Sequence, residues 1–576
     1  MSNKSAIDKI QLPQGGGAIS GMGEKFSPDL FTGTGNFSVP IAVPPGRNGL
    51  QPSLSLSYST GSGNSPFGLG WGLSVPGVMR QTTKGLPRYV DHATAGLAHE
   101  GGGGPLPDTF VLSGAEDLVP VPGGSSVAFG QPGFVQWYRP RTEGLFARIE
   151  RYLDADNDYW KVWTKEGLVS YYGTPESAGD DPCTVHDPED HSKVFGWKLW
   201  KTVDVFGNYI LYEYERDLVN LDGPHLWEQS YLKSVKWNDF MDGATQRYLT
   251  TVEFVYGERP DPFSEYHAGF EVRTVRRCEE IQILHHPTLT GGSVDTLVKS
   301  YRLTYLDERV TLGQISADLL PLNGVSLLAR VEVVGFDGAT EEQLPPLDFS
   351  YTRYEPLKRD FRPVGGEELP PFSLAHPDYE LVDLFGRGLP DIVQLNGVAR
   401  YWRNLGEGVF ALPRHFKDSP VGVHLADPNV SLLDANGNGT ADLLVQKSGI
   451  AGYYPMQFNG EWEQRAFVKY PSVPTFSLAD PEVKLLDLDG DGVTDVLRNG
   501  SRFEIFFNDR ELGFHELKVM PRGAIEDFPE VSFSDPRVRI ANLCGRLPTI
   551  CIIYQGRIDY WPHFGRGKWG KRVTMK

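Results

Sequence analysis

Leu381-Val382-Asp383-Leu384-Phe385-Gly386-Arg387-Gly388-Leu389-Pro390-Asp391-Ile392-Val393, residues 381–393, reads as strand, tight turn and strand. Apolar residues flank an acidic turn whose glycines let the backbone curl. Outward from this stretch the same phase returns. Ala375-His376-Pro377, Ala426-Asp427-Pro428, Ala479-Asp480-Pro481 and Ser534-Asp535-Pro536 set their prolines 51, 53 and 55 residues apart. Asp383, Asp434, Asp487 and Asn542 keep the same spacings. Tyr401-Trp402 closes the first unit before a glycine turn, and Tyr560-Trp561 closes the last in the same way. A unit of about 50 residues with several short strands fits a four-stranded propeller blade. Such a unit cannot bury both faces alone, so its neighbours must stack on it. Residues 356–576 are therefore expected to form a β-propeller of such blades, four of them recognisable, with ring closure left open.

Within this repeat, Asp487-Leu488-Asp489-Gly490-Asp491-Gly492-Val493-Thr494-Asp495 carries carboxylates at positions 1, 3, 5 and 9. A backbone carbonyl at Val493 fills position 7. Oxygen-rich, flexible cages of this kind suit Ca²⁺ better than Mg²⁺. The expectation is a structural Ca²⁺ on Asp487, Asp489, Asp491, Val493 and Asp495, as in FG-GAP or VCBS-like propeller repeats. The competing reading is an Asx-rich turn without metal. Asp434, Asn436, Asn438 and Asp442 form a weaker copy with two charges fewer. In the first copy Arg387 is expected to supply an internal cation for Asp383 and Asp391. In the fourth, Cys544 and Arg546 stand at ligand positions, so metal is not expected there. Asp154-Ala155-Asp156-Asn157-Asp158 lacks the glycines and reads as a solvated turn.

Upstream, short alternating runs recur. Leu54-Ser55-Leu56-Ser57-Tyr58 has the period of a half-buried strand. Trp160–Trp163 and Leu168–Tyr172 flank a Lys165-Glu166-Gly167 turn. Trp197–Trp200 and Ile210–Tyr214 flank Phe206-Gly207-Asn208, a hairpin signal. Tyr301–Tyr305 and Leu328–Val333 continue the pattern, and no amphipathic helix of four or more turns is visible. Residues 95–105 and 174–192 read as surface excursions. Residues 1–35 are Gly-rich and aperiodic, with the first ~20 expected to be mobile. The division expected is thus residues 1–35, a β-rich shell over 36–355, and the propeller over 356–576. The whole chain is expected to be all-β.

Bulk properties agree. Of 576 residues, 12% are aromatic, with 65 Gly and 43 Pro, which suits many short strands and turns. The net charge of −19 and the absence of Lys/Arg runs exclude nucleic acid as a partner. Four cysteines without a CxxC are read as buried thiols, with Cys544 and Cys551 able to pair but not required to. No stretch nears the ~18 apolar residues of a membrane helix, so no direct membrane insertion is expected. The N-terminus shows no apolar signal core, so any export must follow a route not visible here.

Several ordered motifs then resemble a known family: Leu12-Pro13, Gly16-Gly17-Ala18-Ile19, Gly33-Thr34-Gly35, Leu54–Tyr58, Gly68-Leu69-Gly70-Trp71-Gly72-Leu73-Ser74 and Arg80. Over residues 10–355 the chain is similar to the N-terminal domain of the Salmonella plasmid virulence protein B (SpvB) family. The same domain begins the B component of Tc insecticidal toxin complexes. The resemblance implies a hollow, Rhs-like shell that sequesters a toxic segment. It implies a Tc-type pore-forming A subunit and an Rhs-repeat cargo component as partners. It also implies an extracellular toxin component made in the bacterial cytoplasm. The expected function is a non-catalytic structural component of a Tc-type toxin, whose propeller docks to or gates the pore partner. An integrin-like adhesin is the alternative.

A search for chemistry supports the same expectation. No G-x-S-x-G, H-E-x-x-H or G-x-x-x-x-G-K-[ST] motif occurs. ADP-ribosyltransferase chemistry, present elsewhere in the family, uses an arginine, an S-T-S strand and an E-x-E turn. The E-x-E candidates, Glu213-Tyr214-Glu215 and Glu461-Trp462-Glu463, have no S-T-S partner and read as strand surface charge. His285 and His286 read as turn residues. The chain is therefore expected not to be an enzyme.

Overall fold

The computed structural model describes residues 22, 24–28, 34–83, 85–91, 107–113, 117–125, 133–142, 144, 146–177, 180–217, 221–286, 295–338, 340–353, 355, 361–447, 449–524, 526–543 and 547–575. The first 21 residues, the Gly101–Gly104 run, Gly33, Cys544 and Arg546 lie outside them. The fold is all-β, as expected. The one α-helix among the described residues is Leu306–Thr311, and none is long and apolar enough to cross a membrane.

A four-stranded antiparallel sheet comes first: Lys25–Pro28, Gly35–Ile41, Leu54–Ser59 and Trp71–Leu73. Lys25–Pro28 is a strand that the aperiodic sequence did not announce. From Gly77–Arg80 to Leu347–Asp348 the strands then close into a barrel-like shell. Gly77–Arg80 pairs on one side with Phe110–Leu112 and on the other with Asp190–Val203. The hairpins read from sequence are present, with Trp163 opposite Val169 and Val203 opposite Tyr209. One core joins sheet and shell, because Val39 and Leu56 pack with Trp160, Trp197, Trp237 and Val331. The three tryptophans are almost fully buried.

Residues 174–192 are not a surface excursion. Thr184–Asp187 is a buried strand paired with Asp190–Val203. The acidity that suggested a loop is absorbed locally: Asp181 accepts from the Thr174 hydroxyl at 2.9 Å and the Cys183 amide at 2.9 Å. Asp158 is likewise not solvated but held by Arg151 at 3.0 Å. Cys183, Cys278 and Cys551 are buried free thiols.

Beyond the shell, four antiparallel four-stranded sheets follow in series. Their second strands are Asp391–Leu395, Asp442–Lys447, Asp495–Asn499 and Thr549–Tyr554. A small three-stranded sheet of Gly365–Gly366, Asn404–Gly406 and Val409–Phe410 flanks the first. The period of two along a strand explains the stacking. Leu443 packs with Val393 of the sheet before it, while Leu444 packs with Val496 of the sheet after it. Leu497 then packs with Ile550. Each sheet thus shares one core with each sheet next to it in sequence.

Candidate metal centre

The turns between first and second strands hand one hydrogen bond to the next. Ala441 donates to the Leu384 carbonyl at 3.1 Å and Thr494 to the Asp434 carbonyl at 3.3 Å, while the Leu488 carbonyl of the third turn accepts from the Arg566 amide, which lies between the third and fourth strands of the last sheet, at 3.0 Å. Close approach needs glycine. A Cβ on Gly386, at φ +65°, would lie 2.3 Å from the Gly439 carbonyl oxygen. The acidic turns therefore gather side by side.

Their chemistry changes from one sheet to the next. In the first turn Arg387 reaches Asp391 at 2.8 Å. Asp383 is not a partner of that guanidinium, as had been expected. It accepts backbone amides from Arg387 and Gly388. In the second turn neutral amides do the work. Asn436 donates to Asp442 at 2.9 Å, and Asp434 accepts the Gly437 and Gly439 amides at 2.7 Å each. Asn438 accepts from Thr440 at 2.8 Å.

The third turn has no arginine or asparagine of its own, although Asp487 accepts the Gly490 and Gly492 amides at 2.7 Å and 3.0 Å. Oxygens of Asp487, Asp489 and Asp491 lie within 4.8 Å of one another, a spacing that could hold a metal ion. Asp489 is only 8% exposed. Burial, then Asp491, pushes its carboxyl up to about 6, with Arg566 opposing from 3.7 Å. Burial also raises Asp487. Arg510 stands 3.4 Å from Asp491. Hard oxygen donors in a partly buried turn fit a cation such as Ca²⁺. Asp495 is placed differently from the expectation. Both its oxygens accept backbone amides, from Leu488 and Asn508 at 2.9 Å each, and burial pushes it up to about 8. Asp442 is turned onto the Ala435 and Met456 amides in the same way. Val493 is fully buried.

Sequence reasoning missed that this turn faces the shell. The Leu86 amide donates to the Asp489 carbonyl at 2.9 Å. Phe564 stacks on Tyr266 at 5.2 Å, and Lys568 lies 3.3 Å from Glu189. No local motif in residues 85–89 signals this contact.

The other candidates are spread through the chain. Glu213 binds Lys236 and Ser234, and Glu215 binds Arg276. Glu461-Trp462-Glu463 is not a strand but a loop before the short helix Gln464–Ala466, with Trp462 buried. His286 is no ordinary turn residue, being buried with Nδ1 2.6 Å from Asp295.

The Salmonella virulence plasmid 65kDa B protein family (SpvB) matches residues 30–259 and 239–287. Mono(ADP-ribosyl)transferase SpvB of Salmonella typhimurium is 30% identical over 344 residues, which is 53% of this chain and 55% of the relative. The chain thus spans about half the length of the curated relatives it matches. The Photorhabdus luminescens Tc holotoxin pore aligns with 100% of this chain and 27% of its own, at TM-score 0.77 and 26% identity. A TcdB2-TccC3-TEV crystal structure covers 98% of this chain and 30% of its own, at TM-score 0.58 and 23% identity. The resemblance to SpvB and Tc toxins is therefore real. The expectation of a non-catalytic component, with an adhesin as alternative, and of no enzyme, is overturned by the same findings. The curated relatives carry the name of an enzyme, mono(ADP-ribosyl)transferase. A β-rich fold does not fix chemistry, so absent motifs were a weak ground for excluding it.

Proposed function

We propose, from the likeness of residues 30–287 to the SpvB family and of the whole chain to the Tc holotoxin pore, that this protein works in an ADP-ribosylating toxin of Tc type. The activity assigned to that toxin is mono(ADP-ribosyl) transfer, the one its relatives are named for. Its partners in this reading are a Tc-type pore-forming A subunit and an Rhs-repeat component. It acts outside the bacterium that makes it. The observation that carries the reading is the alignment over the full chain at TM-score 0.77, shell and sheets together. Size-exclusion chromatography of the chain mixed with both components tests it. Co-elution as one assembly is expected; elution of each alone overturns the reading.

The repeated sheets are read as FG-GAP or VCBS-like blades, and the third turn as a structural Ca²⁺ site. Asp487, Asp489 and Asp491 would hold the ion, which would neutralise three crowded carboxylates. The second turn would stay metal-free, because Asn436 and Asn438 stand where the third has Asp489 and Asp491, and Asn436 already donates to Asp442 at 2.9 Å. Calorimetric titration with CaCl₂ is expected to find one site, lost in Asp487→Asn. No heat of binding would overturn this part alone.

A further inference from the structure

The shell meets the last two sheets along a seam that Leu86, Glu189 and Tyr266 line from one side and Asp489, Phe564 and Lys568 from the other. A buried imidazole stands behind each side. His186 sits in Thr184–Asp187, whose Val185 packs on Ala268 and Phe270 beside Tyr266. It is 2% exposed, and neither ring nitrogen makes a hydrogen bond of good geometry among the described residues. Its ring lies 4.1 Å from that of His191. The titratable and charged groups facing it are Arg216 from the strand Tyr209–Arg216, His191 from Asp190–Val203 and Asp180 from the preceding loop.

His563 immediately precedes Phe564 and is also 2% exposed. It stacks on Trp569 at 4.2 Å, and its Nε2 accepts the Gly567 amide at 3.2 Å. Its Nδ1 has no hydrogen-bond partner among the described residues. The charged group facing it is Lys518, whose ammonium donates to the Arg566 carbonyl at 2.6 Å.

Neither site can take a proton cheaply. An imidazolium has two donors and no acceptor. At His563 it would turn a donor toward the Gly567 N–H and a cation toward Lys518. At His186 it would put charge in a desolvated site beside Arg216 and His191. Burial first, then these cations, lower His186 to about 4 and His563 to about 3. An opened seam would return both toward the ordinary 6.5. The open state then binds more protons, so closure is favoured fully above 6.5 and weakened as pH falls below it.

We propose that this seam is an acid-released latch, closed while His186 and His563 are neutral and opened when they take up protons. Amide hydrogen exchange of the full chain at pH 7.5 and 5.0, corrected for intrinsic rates, tests it. Segments 184–191, 266–270 and 562–569 should open at least about tenfold more at pH 5.0, while Ser230–Asp242 keeps its protection. The double variant His186→Gln, His563→Gln should lose this response, which separates the histidines from Glu189 and Asp489 in the same seam. Lys518→Met keeps both histidines and should shrink the response. Equal protection of the seam at both pH values, acid opening that persists in the double variant, an unchanged response in Lys518→Met, or even loss across Ser230–Asp242 would each overturn the latch.

Discussion

Arg80 and Arg151 converge on one carboxylate: Asp91 Oδ1 lies 3.0 Å from Arg80 Nη1 and 2.9 Å from Arg151 Nη1. Arg80 also holds Asp108 at 2.8 Å, and Arg151 holds Asp158 at 3.0 Å. Both guanidiniums lie over Phe110 and Trp197. Burial would raise Asp91, but Arg151 and Arg80 outweigh it and hold the carboxyl at about 2. This network ties Gly77–Arg80 to the strands Arg148–Leu153 and Asp158–Trp163 inside the shell wall.

Arg151→Met should leave two half-buried carboxylates, Asp91 and Asp158, short of a cation. Breaking a buried pair from one side costs about 3–5 kcal/mol. Urea unfolding followed by tryptophan fluorescence should show the shell transition at lower urea. A midpoint equal to wild type would show that the network contributes nothing.

Gly565→Ala should loosen the seam between shell and sheets. Its φ is +91°, and an added Cβ would meet Leu86 Cδ1 at 1.9 Å. Backbone strain at such a position costs of order 1–3 kcal/mol before the clash is counted. The melting temperature should fall and the Leu86 amide should exchange faster. Gly243→Ala, at a turn with open space around it, should fall by less.

Glu482 links the third sheet to the fourth. It accepts from Ser532, from the Phe533 amide at 2.9 Å and from Ser534 at 2.6 Å. Burial opposes its ionisation, but these donors prevail and hold it at about 2. A depressed carboxyl stabilises the fold above its unfolded value, near 4.5, and loses that contribution as pH falls toward 2. Glu482→Gln should therefore lower the melting temperature at pH 7, and the gap from wild type should close toward pH 2. A gap independent of pH would contradict the charge-based account.

Asp489→Asn removes a buried charge that the third turn does not compensate for itself. With calcium present it should weaken ion binding; with EDTA it should raise the melting temperature relative to wild type. Differential scanning calorimetry in both buffers reads the crossing. The same substitution at Asp391, which Arg387 already neutralises, should destabilise in both.

Much of this was legible in the sequence, for physical reasons. The Pro and Asp spacings fix the sheets because each turn must meet the next at one end of the stack. The alternation at Leu54–Tyr58 and Trp160–Trp163 announces strands that bury one face. What sequence hid was non-local. Asp181 and Asp158 look solvated until their donors, Thr174, Cys183 and Arg151, are seen in space. Asp495 has ligand spacing, yet the Leu488 and Asn508 amides claim both its oxygens. The contact of Leu86 with Asp489 joins residues about four hundred positions apart, beyond any periodicity.

Whether the chain serves an ADP-ribosylating toxin is tested most directly by label transfer. Cells treated with the chain, a Tc-type pore-forming component and an Rhs-repeat component would be supplied with labelled NAD. The account predicts a labelled host protein that disappears when the chain is left out. Absence of label with the full set, or the same label without the chain, would contradict it.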